Sequence, residues 1–282
     1  QPFVIGQYRC ESRLGEGGMG VVYKARHTHL DRVCALKVLL PQAGMSEKAI
    51  ERFRREARLA SGITHPNSVT IYDYGEVDGP LFYLAMEFIQ GRALEDVMGR
   101  RPMPLARVSA YVQQICDGLD VAHQAGIVHR DLKPQNVMVC ERPGRADLVK
   151  IVDFGIARSL GVSEKTMSGA VVGTPIYMAP EQARGEADVG VRADVFSVGV
   201  MSFEMLTGPY PFPVEGNVIQ QVVARAMQKT PARRLAEALP GGAYDPALEG
   251  VLARALAIDP KERTPGVLAF AEELSRAARQ AA

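Results

Sequence analysis

Apolar residues change their spacing along the chain, and the change separates a strand-rich first third from a mostly helical remainder. Residues 8–13 alternate loosely, 21–25 read Val-Val-Tyr-Lys-Ala, and 32–39 form an apolar run carrying the single lysine Lys37. Such short runs of β-formers predict strands. Residues 69–74 and 81–88 predict two more, joined by an Asp78-Gly79 turn. Between these groups residues 46–62 take helical spacing, with Ile50, Phe53, Ala57 and Ala60 on one stripe. Ser46 suits the N-cap and Gly62 the stop. Further on, residues 105–125 predict a helix ended by Gly126, and 194–207 an apolar helix of the buried kind. Asp194 would be costly there unless hydrogen-bonded. Helices are also predicted at 217–227, 246–257 and 265–278, and short strands at 137–139 and 149–152.

Composition narrows the function classes. The chain has 282 residues, enough for one large domain or two parts with substantial cores, and its 47% hydrophobic content argues against disorder. With 33 basic and 32 acidic residues the net charge is +1, so there is no global field to draw nucleic acid or a membrane surface. The longest uncharged apolar run, residues 195–203, is too short to cross a bilayer. Cys10, Cys34, Cys116 and Cys140 are widely spread and form no CxxC pair, which argues against structural zinc and for reduced thiols in a cytosolic compartment. No signal peptide is visible, no repeat or low-complexity tract occurs, and a start at Gln1 is expected of a segment from a longer protein.

The chemistry concentrates in residues 129–136, His-Arg-Asp-Leu-Lys-Pro-Gln-Asn. Asp131 can accept a proton, Lys133 can hold a phosphate oxygen, and Asn136 can ligate a hard cation through its amide oxygen. That set suits phosphoryl transfer, where the protein positions groups and neutralises charge. A solvated polar turn with Asp131 as a cap is the ordinary alternative. A second stretch, Gly15-Glu16-Gly17-Gly18-Met19-Gly20, lies between two predicted strands. Its glycines let the backbone bring N–H groups close to phosphates. Dinucleotide-binding folds use the same spacing but need a helix directly after the glycines, and here a valine-rich strand follows.

The order His-Arg-Asp-Leu with Asn five residues after the Asp resembles the catalytic loop of eukaryotic-type (Hanks-type) serine/threonine protein kinases, and the motif style is similar to bacterial members. The resemblance runs from about residue 8 to about residue 274. It implies an α+β, bilobal fold: a β-rich lobe with one key helix (residues 1–90) and a mostly helical lobe (91–282), with ATP in the cleft between them. It implies that the glycine loop (Leu14, Gly15, Glu16, Gly17, Gly18, Met19, Gly20), Val22, Ala35, Met86, Glu87, Ile89 and Met138 bind the nucleotide. Met86 takes the gatekeeper place. Lys37 would bind the α- and β-phosphates, paired with Glu56. Cys34 and Leu36 depart mildly from the usual Val-Ala-Ile-Lys pattern. Asp131 would be the catalytic base and Lys133 would neutralise the γ-phosphate. Asn136 and Asp153, in Asp-Phe-Gly, would hold Mg²⁺, with Mn²⁺ as a substitute.

The same resemblance implies that Thr166 and Ser168 are phosphosites, with Arg130, Arg158 and Arg52 as a basic pocket for the added phosphate. Thr174 would serve the substrate, Asp194 would brace the catalytic loop, and Arg263 would pair with Glu181 of Ala-Pro-Glu. Lys133 and Thr174 together favour serine and threonine over tyrosine. Implied partners are protein substrates and a second copy for trans-autophosphorylation, with no nucleic acid and no membrane within this segment. The implied location is cytoplasmic, as part of a longer, membrane-anchored protein. The competing readings are a small-molecule kinase, which Thr174 and the full Ala-Pro-Glu segment oppose, and a pseudokinase, which would keep the fold and ATP binding without turnover.

Overall fold

The computed structural model describes residues 3–17, 20–39, 46–77, 81–155, 175–212, 222–223, 226–227, 231–239 and 245–280. Backbone proximity groups them into two compact units, one within Gln1–Gln90 with Gly155, the other within Gly91–Phe154 and Thr174–Ala282.

The first unit is an antiparallel sheet with one helix. Its strands are β1 (Phe3–Ile5), β2 (Tyr8–Gly17), β3 (Gly20–His27), β4 (Val33–Leu39), β5 (Ile71–Val77) and β6 (Leu81–Glu87), in the order β1-β2-β3-β4-β6-β5. Alternate residues share a face of a strand. Cys34, Leu36 and Val38 of β4 therefore join Tyr8, Cys10, Ala25, Tyr83 and Ala85 in one buried cluster. The neighbouring residue Phe82 points the other way and meets Phe53 of α1 (Glu47–Ser61) at 5.2 Å between ring centres. Burying a side chain of that size contributes about 1.5–3 kcal/mol. Ser46 caps α1, accepting the Ala49 N–H at 3.3 Å, and Phe53, Ala57 and Ala60 are its buried face. Gly62 ends it at φ −79°, so its stop does not use the left-handed turn that glycine allows.

Strand β5 begins two residues later than its pattern suggests and runs three further. Asp73 and Gly75 are poor β-formers, but both have partners here. The Tyr8 and Tyr83 hydroxyls each donate to Asp73 Oδ2 at 3.0 Å. A Cβ on Gly75 would lie 2.7 Å from the Tyr83 hydroxyl oxygen. Burial and the Asp73 carboxylate push the Tyr83 hydroxyl up to about 12, so it stays a donor.

The second unit holds a small sheet and most of the helix. Strands β7 (Arg92–Ala93), β8 (Val137–Cys140) and β9 (Leu148–Ile151) pair in chain order. The helices are α2 (Leu94–Met98), α3 (Leu105–Gln124), α4 (Pro180–Ala183), α5 (Arg192–Thr207), α6 (Leu235–Ala238), α7 (Pro246–Ala255) and α8 (Val267–Gln280). Helix α5 is buried on nearly every side, as its even apolar character requires. A Cβ on its Gly199 would lie 2.8 Å from Ala255 Cβ of α7, so the two helices meet at van der Waals range. Helix α3 ends as expected at a left-handed Gly126 (φ +77°), with Ile127 N–H returning to the Ala122 carbonyl at 2.8 Å. Helices α7 and α8 are displaced by two residues at one or both ends from their sequence-based bounds. Most of 217–227, and the Asp78-Gly79 turn, lie outside the described residues.

The polar link between β8 and β9 is tied to α3. Asp147 accepts bonds from Arg107 (3.2 Å) and from the Tyr111 hydroxyl. Gln114 donates to the Asp147 carbonyl at 3.1 Å and accepts the Val149 N–H at 2.9 Å.

Candidate active site

In the first unit, strand register lines up the nucleotide candidates. Gly15 stands opposite Val22, and Val22 opposite Lys37, so the three form one row across β2, β3 and β4. Ala35 stands opposite Met86, and Cys34 opposite Glu87. A Cβ on Gly15 would meet nothing within 4 Å, whereas one on Gly20 would lie 2.0 Å from the Val38 carbonyl oxygen. At φ +152°, Gly20 is thus the position where the hairpin tolerates no side chain. Lys37 is 8% exposed, with Leu14 at 48% beside the turn. Glu56 is half-buried next to Ala57 on the face that α1 buries. Glu87 donates its N–H to the Thr70 carbonyl at 2.9 Å, and Ile89 follows it, half-buried. Gly18 and Met19, and the side-chain surroundings of Gly17, lie outside the described residues, as do Arg158, Thr166, Ser168 and Thr174.

In the second unit, residues 129–136 form a loop closed by a one-turn helix, Pro134–Asn136. Lys133 Nζ lies 3.1 Å from Asp131 Oδ2. Asn136 donates its side-chain N–H to the Asp131 carbonyl at 2.8 Å and approaches Asp131 Oδ2 at 3.4 Å. Its amide nitrogen thus committed, Asn136 keeps its carbonyl oxygen for a hard cation. The Asn136 backbone carbonyl accepts the Val152 N–H at 2.9 Å, which sets Asp153 beside it. Asp153 takes φ +69°. One amide and one carboxylate oxygen fit Mg²⁺, which completes its shell with phosphates and water. Among the described residues no group of three or more His, Cys, Asp or Glu could hold a metal by itself. Met138 sits on β8 opposite Ala93 and Lys150, half-buried.

A buried carboxylate holds the loop from beneath. Asp194, 0% exposed on α5, accepts the His129 N–H (2.8 Å) and His123 Nε2 (2.7 Å) at Oδ2, and the Arg130 N–H (2.9 Å) at Oδ1. Burial alone would raise this carboxyl, but the hydrogen bond from His123, reinforced by the His129 N–H, holds it below the usual carboxylate range. The His129 ring is driven the other way. Burial lowers its pKa, against the pull of Asp194 and Asp131. A neutral ring suits its contacts: Nδ1 accepts the Asp131 N–H at 3.3 Å while Nε2 faces the Val152 carbonyl at 3.5 Å.

The Ala-Pro-Glu segment is anchored as firmly. Glu181 and Arg263 form a two-pronged pair, 2.8 Å on each prong, with both side chains essentially buried. Ahead of it, Tyr177 donates to Glu204 of α5 at 2.7 Å, and Ser197 donates to the Tyr177 carbonyl at 2.9 Å. Burial raises both Tyr177 and Glu204. Sequence reasoning did not single out His123, although it lies on the last turn of α3, nor Glu204. Gln182 carries no signal of its own in the sequence beyond its place after Ala-Pro-Glu.

A strand-rich unit with one helix, a helical unit, and an Asp-Lys-Asn loop beside an Asp-Phe-Gly turn define a protein kinase fold. The model of the protein kinase domain family matches residues 8–274, and this chain belongs to that family. Serine/threonine-protein kinase pkn3 of Myxococcus xanthus is 39% identical over 273 residues, covering 95% of this chain and 49% of that protein. PknJ of Mycobacterium tuberculosis, also a serine/threonine-protein kinase, is 38% identical over 274 residues, 97% of this chain and 46% of its own length. The chain therefore spans about half the length of these curated relatives. Among solved structures it is similar to the Mycobacterium tuberculosis PknI kinase domain, with TM-score 0.75 and 28% identity over 98% of each chain. By homology it is a Hanks-type serine/threonine protein kinase domain, and the relatives named here are bacterial.

Proposed function

We propose that this domain transfers the γ-phosphate of ATP to serine and threonine hydroxyls of proteins, including Thr166 or Ser168 of its own activation loop. The observation that carries the reading is the contact of Lys133 with Asp131, 3.1 Å, inside a loop that also presents Asn136. In this reading Asp131 takes the proton of the substrate hydroxyl as its oxygen bonds to the γ-phosphorus. The bond from that phosphorus to the β–γ bridging oxygen breaks, and ADP leaves. Lys133 neutralises the oxygens of the transferring group. Lys37, paired with Glu56, holds the α- and β-phosphates, and the glycine turn covers them. Asn136 and Asp153 hold Mg²⁺, which when bound neutralises phosphate charge. Asp194, Glu181 and Arg263 keep the loops in register, and Thr174 meets the substrate. We assign the domain to the cytoplasmic part of a longer, membrane-anchored protein; relatives that extend well beyond the matched stretch leave room for such an anchor. Recovery of the full-length protein in the soluble fraction would overturn that assignment.

The test is incubation with Mg²⁺ and γ-labelled ATP, beside Asp131→Asn and Lys37→Met, with mapping of labelled residues. Label on Thr166 or Ser168 in the wild type and in neither variant is expected. Turnover at the wild-type rate in either variant refutes the role given to that residue. ATP binding without any transfer would favour an ATP-binding regulatory module instead.

A further inference from the structure

Gln182 lies directly after Ala179-Pro180-Glu181, and its amide touches two backbone segments at once. Oε1 accepts the Ala179 N–H at 3.0 Å, and Nε2 donates to the Arg130 carbonyl at 2.8 Å. The pair of bonds admits one amide orientation, because the flipped amide would set donor against donor and oxygen against oxygen. Arg130 takes φ +61°, a costly conformation for a residue with a Cβ, immediately before Asp131. Its N–H is held by Asp194 at 2.9 Å and its carbonyl by Gln182. The strained residue is therefore gripped on both sides, from α5 and from α4. The Arg130–Asp131 peptide, whose rotation would swing Asp131, is fixed on its carbonyl side by a side chain of the substrate-loop anchor.

We infer that Gln182 is a positioning residue for Asp131, acting through the Arg130–Asp131 peptide and tying the aim of that carboxylate to the seating of the Ala-Pro-Glu segment. Its effect on rate rests on the phosphotransfer reading above; the bridge itself does not. An ordinary helix-capping role predicts something different. Gln and Glu serve equally at the third position of a capping box, since either returns an oxygen to the backbone N–H. Gln182→Glu therefore keeps the bond to Ala179 but loses the donor to Arg130 and turns a carboxylate oxygen toward its carbonyl. Gln182→Ala removes both bonds.

The experiment compares wild type, Asp131→Asn, Gln182→Glu and Gln182→Ala in steady-state phosphorylation of casein, in thermal unfolding, and in amide hydrogen exchange across residues 129–136. For Gln182→Glu we expect kcat to fall about ten- to a hundredfold, the scale of a small misplacement of a catalytic group, with KM for ATP and Tm near wild type. Exchange at the Asp131 amide should quicken. Wild-type kcat with wild-type exchange in Gln182→Glu overturns the proposal and leaves Gln182 as a cap. If wild type, like Asp131→Asn, transfers no phosphate, the kinase reading fails and exchange alone decides the bridge: faster in Gln182→Glu supports it, unchanged refutes it.

Discussion

Removing the Arg263 side chain should be among the most damaging single changes to the second unit, and the structure sets the scale. The guanidinium uses its full set of donors: Nε to the Ala257 carbonyl (2.8 Å), Nη1 to Glu181 Oε1 (2.8 Å) and the Arg192 carbonyl (2.9 Å), Nη2 to Glu181 Oε2 (2.8 Å) and the Ile258 carbonyl (3.3 Å). It also stacks over Phe196, 4.9 Å from the ring centre. Arg263→Met leaves a buried carboxylate without its counter-ion, and breaking such a pair from one side costs about 3–5 kcal/mol. Three carbonyls lose a donor as well, which places the expected loss toward the upper end of that range. Urea unfolding followed by far-UV circular dichroism measures it. The orphaned charge has its own signature. Adding Glu181→Met to Arg263→Met should restore about 2 kcal/mol, because two apolar groups carry no uncompensated charge. A loss below about 1 kcal/mol in the single variant, or a double variant no more stable than the single, would refute the reasoning.

Gly199→Ala pushes a methyl against Ala255 and should cost about 1–3 kcal/mol in the same unfolding assay, the usual penalty for overpacking a tight contact. Gly20→Ala sets a Cβ 2.0 Å from the Val38 carbonyl oxygen, so the glycine hairpin must reshape. ATP affinity by calorimetry should fall at least tenfold while unfolding of the second unit is unchanged. Stability should also decline with acid in two stages. The folded pKa of His129 lies below its ordinary 6.5, so its contribution is full above 6.5 and is lost as pH falls below it. Asp194, held below its ordinary 3.8, contributes fully above that value and loses its share as pH drops through the lower folded pKa. Replacing His129 with asparagine should flatten the first stage of the urea midpoint against pH, and an unaltered slope would show that another group titrates there.

What the sequence reveals of this molecule is what lies close together along it. The loop from His129 to Asn136 carries its acid, cation and amide within eight positions, and the glycine turn is flanked by its own two strands. The helix over 46–62 announces itself through a cap and a stripe. Contacts between distant residues leave no local trace. The pattern ends the strand at Tyr74, between Asp73 and Gly75, because propensity counts only each residue's own preference. The strand continues because Tyr8, 65 positions away, and Tyr83 need an acceptor and a gap at those positions. Gln182 shows the same limit. Nothing local in a glutamine after Ala-Pro-Glu points to the Arg130 carbonyl, 52 positions earlier, that its amide meets.

The Asp73 link has a mechanical consequence. In hydrogen-bonding order β2 and β5 are separated by three strands, so an open sheet would behave as a ribbon that frays from either margin. Tyr8 reaching Asp73 makes the ribbon a hoop, laced shut by a carboxylate that Tyr83 also grips. A load that tilts the glycine hairpin is then shared with the far margin instead of being absorbed by β2 and β3 alone. The β2–β3 hairpin is thus held at its base, where Tyr8 enters the lacing.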